Sequence, residues 1–475
     1  MTGRNAPAHH GPVHEPAAVS YWLEDCDDDL TPRDPLDGST DVDVVIVGAG
    51  YTGLWTAREL LRRDPSRSVL LCEAAFAGFG ASGRNGAWLS SGIAVGPAEL
   101  ARRTSPGVAR LTVETMRATV DEVIAATEDE GIDAQVRRAG LLRVARGRHE
   151  APALTGTFAT LEQLGLADGI AVLSAEELAD RVRITDAWGA LLDPYAAAVH
   201  PGRLVRGLAR AVEARGATIA EDTPVTGIVP GGGGRRPRVT TARGEVTADV
   251  VVVAAEAWVP QLPGRDRDLL PLYSLIVLTE PIDDATWADI GWTGHELLSS
   301  HRYTVDYLSR TVDGRVLFGG RGAPYHYGSR IAPAYDRHGP THALLRSQLA
   351  TWFPPLADVG FSHQWGGPLG MPRDWLPGFN FDPRTGVGGA YGYTGQGVAT
   401  SNLAGRVLAD LIVDGDTVHR DLPMVGHRSR RWEPEPLRWL GARYLQVALA
   451  RIDARGARTG RPPTGRHLAE RLVRH

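Results

Sequence analysis

"DVDVVIVGAGYTGLWTARELLRR" (41–63) decides the fold. Val42, Val44, Val45, Ile46 and Val47 make a short β-branched run, the composition of a strand buried on both faces. Gly48, Gly50 and Gly53 follow in G-x-G-x-x-G spacing, and Leu54, Ala57, Leu60 and Leu61 then recur at helical intervals. In that setting the first glycine turns the chain, the second admits a pyrophosphate, and the third lets helix lie on strand. The helix N-terminus offers free N–H groups and partial positive charge to the phosphates. A second strand, "SVLLCE" (68–73), ends in Glu73, twenty positions after Gly53. A carboxylate there accepts from both ribose hydroxyls and repels a 2′-phosphate, which favours FAD or NAD over NADP.

"CEAAFAGFGASGRNGAW" (72–88) separates those two. An NAD site needs only the turn and the acid, yet four further glycines follow here, with Ser82 as a hydroxyl and Arg84 as the one cation. A second cradle of backbone N–H groups suits the longer, more deeply buried FAD. A flexible glycine loop with an exposed arginine is the alternative reading.

At 475 residues the chain exceeds what one core supports, so two or more lobes are expected. A net charge of −5 gives no basis for nucleic-acid or anionic-membrane partners. No apolar run approaches the ~20 residues needed to span a bilayer. Cys26 and Cys72 are too few for a disulfide framework or a zinc site, which suits a reducing cytoplasm, and no metal centre is expected. Met1 to Thr40 is Pro-, His- and Asp-rich and reads as a loose leader. All 51 basic residues other than histidine are arginine, so the chain has no lysine.

Three distant segments read as further parts of the nucleotide lobe. Residues 200–229 give a helix opening at Pro201, then strands at Thr218–Ala220 and Val225–Val229. Residues 245–260 give a hydrophobic strand running into small residues. "GVGGAYGYTGQGVATSNLAGRVLADLIVDG" (386–415) gives a strand, a glycine turn and a long helix starting near Gln396–Gly397. Its positive end would favour the charge of a reduced flavin, although an ordinary capped helix fits as well. Residues 101–185 read as amphipathic helices, 265–361 as antiparallel strands with a hairpin at Val312-Asp313-Gly314.

These motifs, with "HQWGGPLGMPRDWLPGF" (363–379), resemble the D-amino-acid oxidase superfamily of FAD oxidoreductases. The resemblance spans about residues 20–445 and lies in the glycine/sarcosine oxidase branch, nearest its gamma-glutamylputrescine oxidase subgroup. It implies an α/β fold (α+β overall): a discontinuous Rossmann-type FAD-binding domain at 41–100, 186–264 and 362–420, and a mixed-sheet substrate domain at 101–185 and 265–361. Residues 421–475 are left as a C-terminal helical extension. The resemblance puts Gly48, Gly50, Gly53 and Glu73 at the ADP half and Ser82, Gly83, Arg84 and Asn85 along the pyrophosphate-to-flavin turn. It further puts the Val225 backbone at adenine, Gly395, Gln396 and Gly397 at the flavin pyrimidine edge, and Trp365 and Gly367 near the ring system.

Two departures from sarcosine-type relatives follow. With both cysteines in the first 72 residues, FAD is expected to be non-covalent. Those relatives activate oxygen with a lysine; here Arg84 or a histidine would do so, or oxygen is not the acceptor. The expected activity is oxidation of a C–N bond in a small amine, by hydride transfer to flavin N5, imine hydrolysis and reoxidation by O2. A dehydrogenase with another acceptor, or a non-catalytic flavin-binding assembly protein, are the alternatives. No side-chain catalyst is obligatory. Candidates are Arg84, Gln396, Arg321 as a carboxylate clamp or a solvated cation, and His326 in the pocket or on a surface turn. His200 reads as a helix cap and Asp374 as a turn acid.

Overall fold

Thr40–Val47 occupies the middle of the first sheet, as its unbroken apolar content demands: Val44, Val45 and Ile46 are wholly buried. The computed structural model describes residues 15–473. In spatial order the main strands are Gly378–Asp382, Val387–Tyr391, Glu245–Val253, Thr40–Val47, Val69–Cys72 and Thr218–Ala220. All neighbours run parallel except the first pair. The hairpin Val225–Val229/Arg238–Thr241 joins Glu245–Val253 antiparallel.

Helix Tyr51–Arg63 follows the central strand and helix Gly397–Val413 follows Val387–Tyr391, so both N-termini open at the carboxyl edge of the sheet. The two helices cross closely: a Cβ on Gly405 would stand 2.7 Å from the Trp55 Cβ.

The second sheet has eight strands, in the order Phe361–Met371, Leu270–Thr279, Val316–Arg321, Asp306–Arg310, Leu297–Ser300, Leu141–Arg146, Ala187–Asp193 and Ala171–Leu173. All pairs are antiparallel except Leu297–Ser300 with Leu141–Arg146. The hairpin turn falls where expected, with Gly314 at φ +80°.

This topology corrects the sequence-derived boundaries. Phe361–Met371 and Ala187–Asp193 belong to the second sheet rather than to the nucleotide lobe. Phe361–Met371 is an edge strand, the place in a sheet that tolerates Pro368. Conversely, helix Pro106–Asp129 buries Met116, Val120, Val123 and Ile124 in the nucleotide-lobe core. Leu141–Arg146 and Ala171–Leu173 are strands within a stretch that read as helical, too short to show a period of their own.

Residues 15–39 are not a loose leader; residues 1–14 lie outside the described residues. Ser20 Oγ donates to the Gly83 carbonyl at 2.6 Å, and Trp22 Nε1 to that of Asn85 at 2.8 Å. The Trp22 side chain is buried, and its carbonyl lies so near Gly202 that a Cβ there would approach within 1.9 Å. Arg33 pairs with Glu213 and Glu221. Three consecutive apolar residues, Tyr21 to Leu23, anchor this segment, too few to stand out in a polar stretch.

At the other end, helix Leu437–Thr459 is fastened to the second lobe by Asp453, which accepts from the Thr304 N–H at 2.8 Å. No helix among the described residues is long and apolar enough to cross a membrane. Replacing Trp22 by alanine is expected to cost about 3–5 kcal/mol, as for other large buried aromatics; urea unfolding checks it, and a loss under about 1 kcal/mol would mean the segment is only loosely applied.

Candidate functional site

The first cradle has the geometry its spacing requires. Gly48 sits at φ +108°, where other residues are strained, and a Cβ would also meet the Ala254 carbonyl at 2.8 Å. A Cβ on Gly53 would stand 2.1 Å from the Gly48 oxygen, so only glycine lets the helix rest on the turn. Around Gly50 the only nearby atoms belong to Ser82, whose Oγ accepts from the Tyr51 N–H at 2.9 Å. The two glycine stretches therefore close on one another at a helix N-terminus.

Glu73 lies at the end of the second strand. Its carboxylate accepts from the N–H groups of Ala49 (2.9 Å) and Ala75 (3.0 Å), and burial raises its pKa to about 7. The Thr223 N–H donates to the Glu73 carbonyl at 2.8 Å, which brings Val225, two residues on, to the same edge.

The opposite end of the groove is the turn before helix Gly397–Val413. Gly392, Tyr393 and Thr394 are buried, yet Gly395 is exposed, and a Cβ there would meet only Leu369 and the Arg321 guanidinium. The Tyr393 hydroxyl is 2.8 Å from Thr52 Oγ1, tying this turn to the first helix. Gln396 Oε1 accepts from Ser90 Oγ at 3.2 Å.

Arg321 ends its strand facing this turn and donates from Nη2 to the Thr394 carbonyl at 3.1 Å. Among the described residues no carboxylate pairs with it, and burial pushes the guanidinium down to about 10. It sits opposite Ser274 in the sheet, and Ser274 Oγ is 3.0 Å from the Tyr307 hydroxyl, which burial pushes up to about 12. Arg321, Ser274 and Tyr307 thus form a polar cluster on the second sheet opposite the glycine turn of the first lobe.

Arg84 has a different setting. Its Nε donates to the Phe79 carbonyl (2.6 Å), its Nη1 to that of Gly366 (3.1 Å), and Nη1 also pairs with Asp336 at 2.5 Å. It fastens cradle to second sheet. Asn85 bridges the Ser82 carbonyl and the Ala87 N–H, both at 3.0 Å, and Gly83 is buried against Leu23. Trp365 is buried and spends its indole N–H on the Arg84 carbonyl at 2.9 Å, while Gly367 leaves room for the Arg84 side chain. His326 stacks on Tyr335 (3.4 Å, 6°) and meets Tyr273 edge-on (5.7 Å). His200 caps its helix, its Nδ1 accepting from the Arg203 N–H.

Two groups were missed in the sequence. Glu256, at φ +40°, accepts from the Gly392 (2.7 Å) and Gly370 (3.2 Å) N–H groups, and burial raises it to about 7. An acid directly after the apolar run "VVVVAA" was the available signal. Tyr307 had none, being one of several strand tyrosines.

Glu73 at its strand end, two helix N-termini at one sheet edge and the open face at Gly395 are the features that would hold a dinucleotide. The comparisons agree. A model of the DAO family, described as FAD dependent oxidoreductase, matches residues 43–411. Gamma-glutamylputrescine oxidoreductase of Escherichia coli is 29% identical over 88% of this chain and 95% of its own. The probable oxidoreductase OrdL of Rhizobium meliloti is 29% identical over 80% of this chain and 85% of its own. In fold, the crystal structure of glycine oxidase from Geobacillus kaustophilus superposes with a TM-score of 0.65 at 22% identity, over 82% of this chain and 99% of that one.

Glu73→Gln is expected to weaken FAD binding by about tenfold to a hundredfold, the cost of one lost charged hydrogen-bond partner; fluorescence titration of the flavin-free protein measures it, and unchanged affinity would remove Glu73 from the ribose. The folded state raises the pKa of Glu256, so it binds a proton more tightly than the unfolded chain does. Its contribution to stability is therefore present at low pH and is lost as pH rises towards about 7. Urea unfolding of the flavin-free protein between about pH 5 and pH 8 is expected to show this decline, made shallower by Glu256→Gln.

Proposed function

Because the chain belongs to the DAO family of FAD-dependent oxidoreductases, we propose that it oxidises the C–N bond of a small amine bearing a carboxylate. Bound FAD supplies the hydride acceptor, at flavin N5. Water then hydrolyses the imine to a carbonyl compound and an amine, and the electrons leave to O2 as hydrogen peroxide. FAD is held without a covalent bond, both cysteines being buried in the nucleotide lobe and its N-terminal segment.

The observation that carries this reading is Arg321: a half-buried guanidinium with no carboxylate partner among the described residues, fixed against the glycine turn. A substrate carboxylate would complete it through paired hydrogen bonds in surroundings where charge attraction is strong. That contact orients the carbon next to the amine toward the turn. An alkylammonium, with a pKa near ~10, holds no lone pair for hydride loss, and a desolvated site favours the neutral amine. The N-terminus of helix Gly397–Val413, with Gln396 before it, would lend positive charge to a flavin held at this turn and so support its reduction. The E. coli relative, named for gamma-glutamylputrescine, supports an amine substrate.

A second reading, a dehydrogenase that passes electrons to another acceptor, is favoured by one observation. The chain has no lysine, and Arg84, the other cation of the cradle, is spent on Asp336 and two carbonyls.

The test is anaerobic mixing of the yellow protein with a panel of amines, then admission of air. Bleaching near ~450 nm, the flavin band, by carboxylated amines with fast recovery in air is expected. Slow recovery supports the dehydrogenase, and no bleaching by any amine refutes both. Arg321→Met is expected to lower kcat/KM for the active amine by about a hundredfold, in the range for truncating one side of a buried charge pair. Acid precipitation should leave the flavin in solution.

A further inference from the structure

Beside Trp375 is a surface cavity of about 650 Å³ lined by Arg102, Arg103, Arg373, Arg430, Arg431 and Arg471. Against these six arginines stand three lining acids, Glu99, Asp374 and Glu433, leaving a formal charge of +3 in a chain whose net charge is −5. The acids are already engaged: Glu99 holds Arg102 and Arg103, Glu433 holds Arg373, and Asp374 pairs with His427. Arg431 turns away to Asp266. Arg430 and Arg471 are exposed and have no carboxylate partner among the described residues.

Trp375 is the wall shared with the site. Its indole lines the cavity, and the Arg321 guanidinium lies 5.8 Å from the ring. Its backbone is held at φ +68°, a conformation costly for a bulky residue, with its N–H on the Pro372 carbonyl at 3.2 Å. The strain keeps the ring between the two arginine-bearing spaces.

We propose that this cavity is a subsite for a second carboxylate of the substrate, so that the amine oxidised here is a dianion, one acid group on Arg321 and the other, past Trp375, on Arg430 and Arg471. The proposal rests on the oxidation of a carboxylated amine at Arg321. Guanidinium groups match a carboxylate with two parallel donors, and a positive, concave surface raises the local concentration of an anion. Both free arginines are open to water, so the gain is modest and falls with salt.

The test uses the FAD-loaded protein and N-(ω-carboxyalkyl)glycines of increasing chain length, each compared with the N-alkylglycine of equal length. Binding is measured by calorimetry, flavin reduction in parallel. The expected result is a preference for the dianion of about tenfold at the lengths that clear Trp375, shrinking as salt is added. The double substitution Arg430→Ser/Arg471→Ser should abolish that preference. No preference at any length, or one that survives the double substitution, overturns the subsite. A preference abolished by the substitutions, without flavin reduction, keeps the subsite and refutes the proposed reaction. Flavin reduction by both series with no preference does the reverse.

Discussion

The contact of Gly53 with the Gly48 carbonyl is the one on which the rest is built. With a Cβ this pair would be 2.1 Å apart, so helix Tyr51–Arg63 can lie on its strand only because nothing projects there. That seating sets where Trp55 falls, and Gly405 lets the second helix cross against it. The second helix in turn fixes the turn at Gly392–Gly397, whose Thr394 carbonyl receives Arg321 from the other lobe. One missing methyl thus propagates, by close packing alone, from the first glycine turn to Arg321 on the second sheet.

Charge is handled differently at the two ends. Glu73 and Glu256 are half-buried acids held by backbone N–H groups rather than by cations, and desolvation raises both to about 7. Arg321 is a half-buried cation with a carbonyl in place of a counter-ion among the described residues. Arg84, by contrast, has a full set of partners and acts as a strut between lobes. The difference between the two arginines is one of satisfaction, and only the unsatisfied one has an unmet need for an anion.

The nucleotide lobe was legible because its signals are local: a uniform apolar strand, three glycines at fixed offsets, an acid at a strand end. Glu73 stands at its strand end against the Ala49 N–H, Ser82 meets the first glycine turn, and Gly395 opens the turn before the second helix. The boundaries between lobes were not, because Phe361–Met371 takes its identity from pairing with Leu270–Thr279, nearly a hundred residues away, and its proline and glycines argue locally for a loop. Glu256 and Tyr307 depend on partners in other segments. Arg84 and Arg321 are alike in sequence, each beside glycines, and only the carboxylate that one has and the other lacks tells them apart.

The packing of residues 15–39 has a bearing on thermodynamics. Ser20 and Trp22 hold the carbonyls of Gly83 and Asn85, so a loop containing four glycines is immobilised by contacts that owe nothing to a ligand. Glycine-rich backbone loses more conformational freedom on ordering than any other, and here that entropy is surrendered when the chain folds. A ligand held by this loop would therefore meet backbone already ordered, and its association free energy would not be diminished by having to order it.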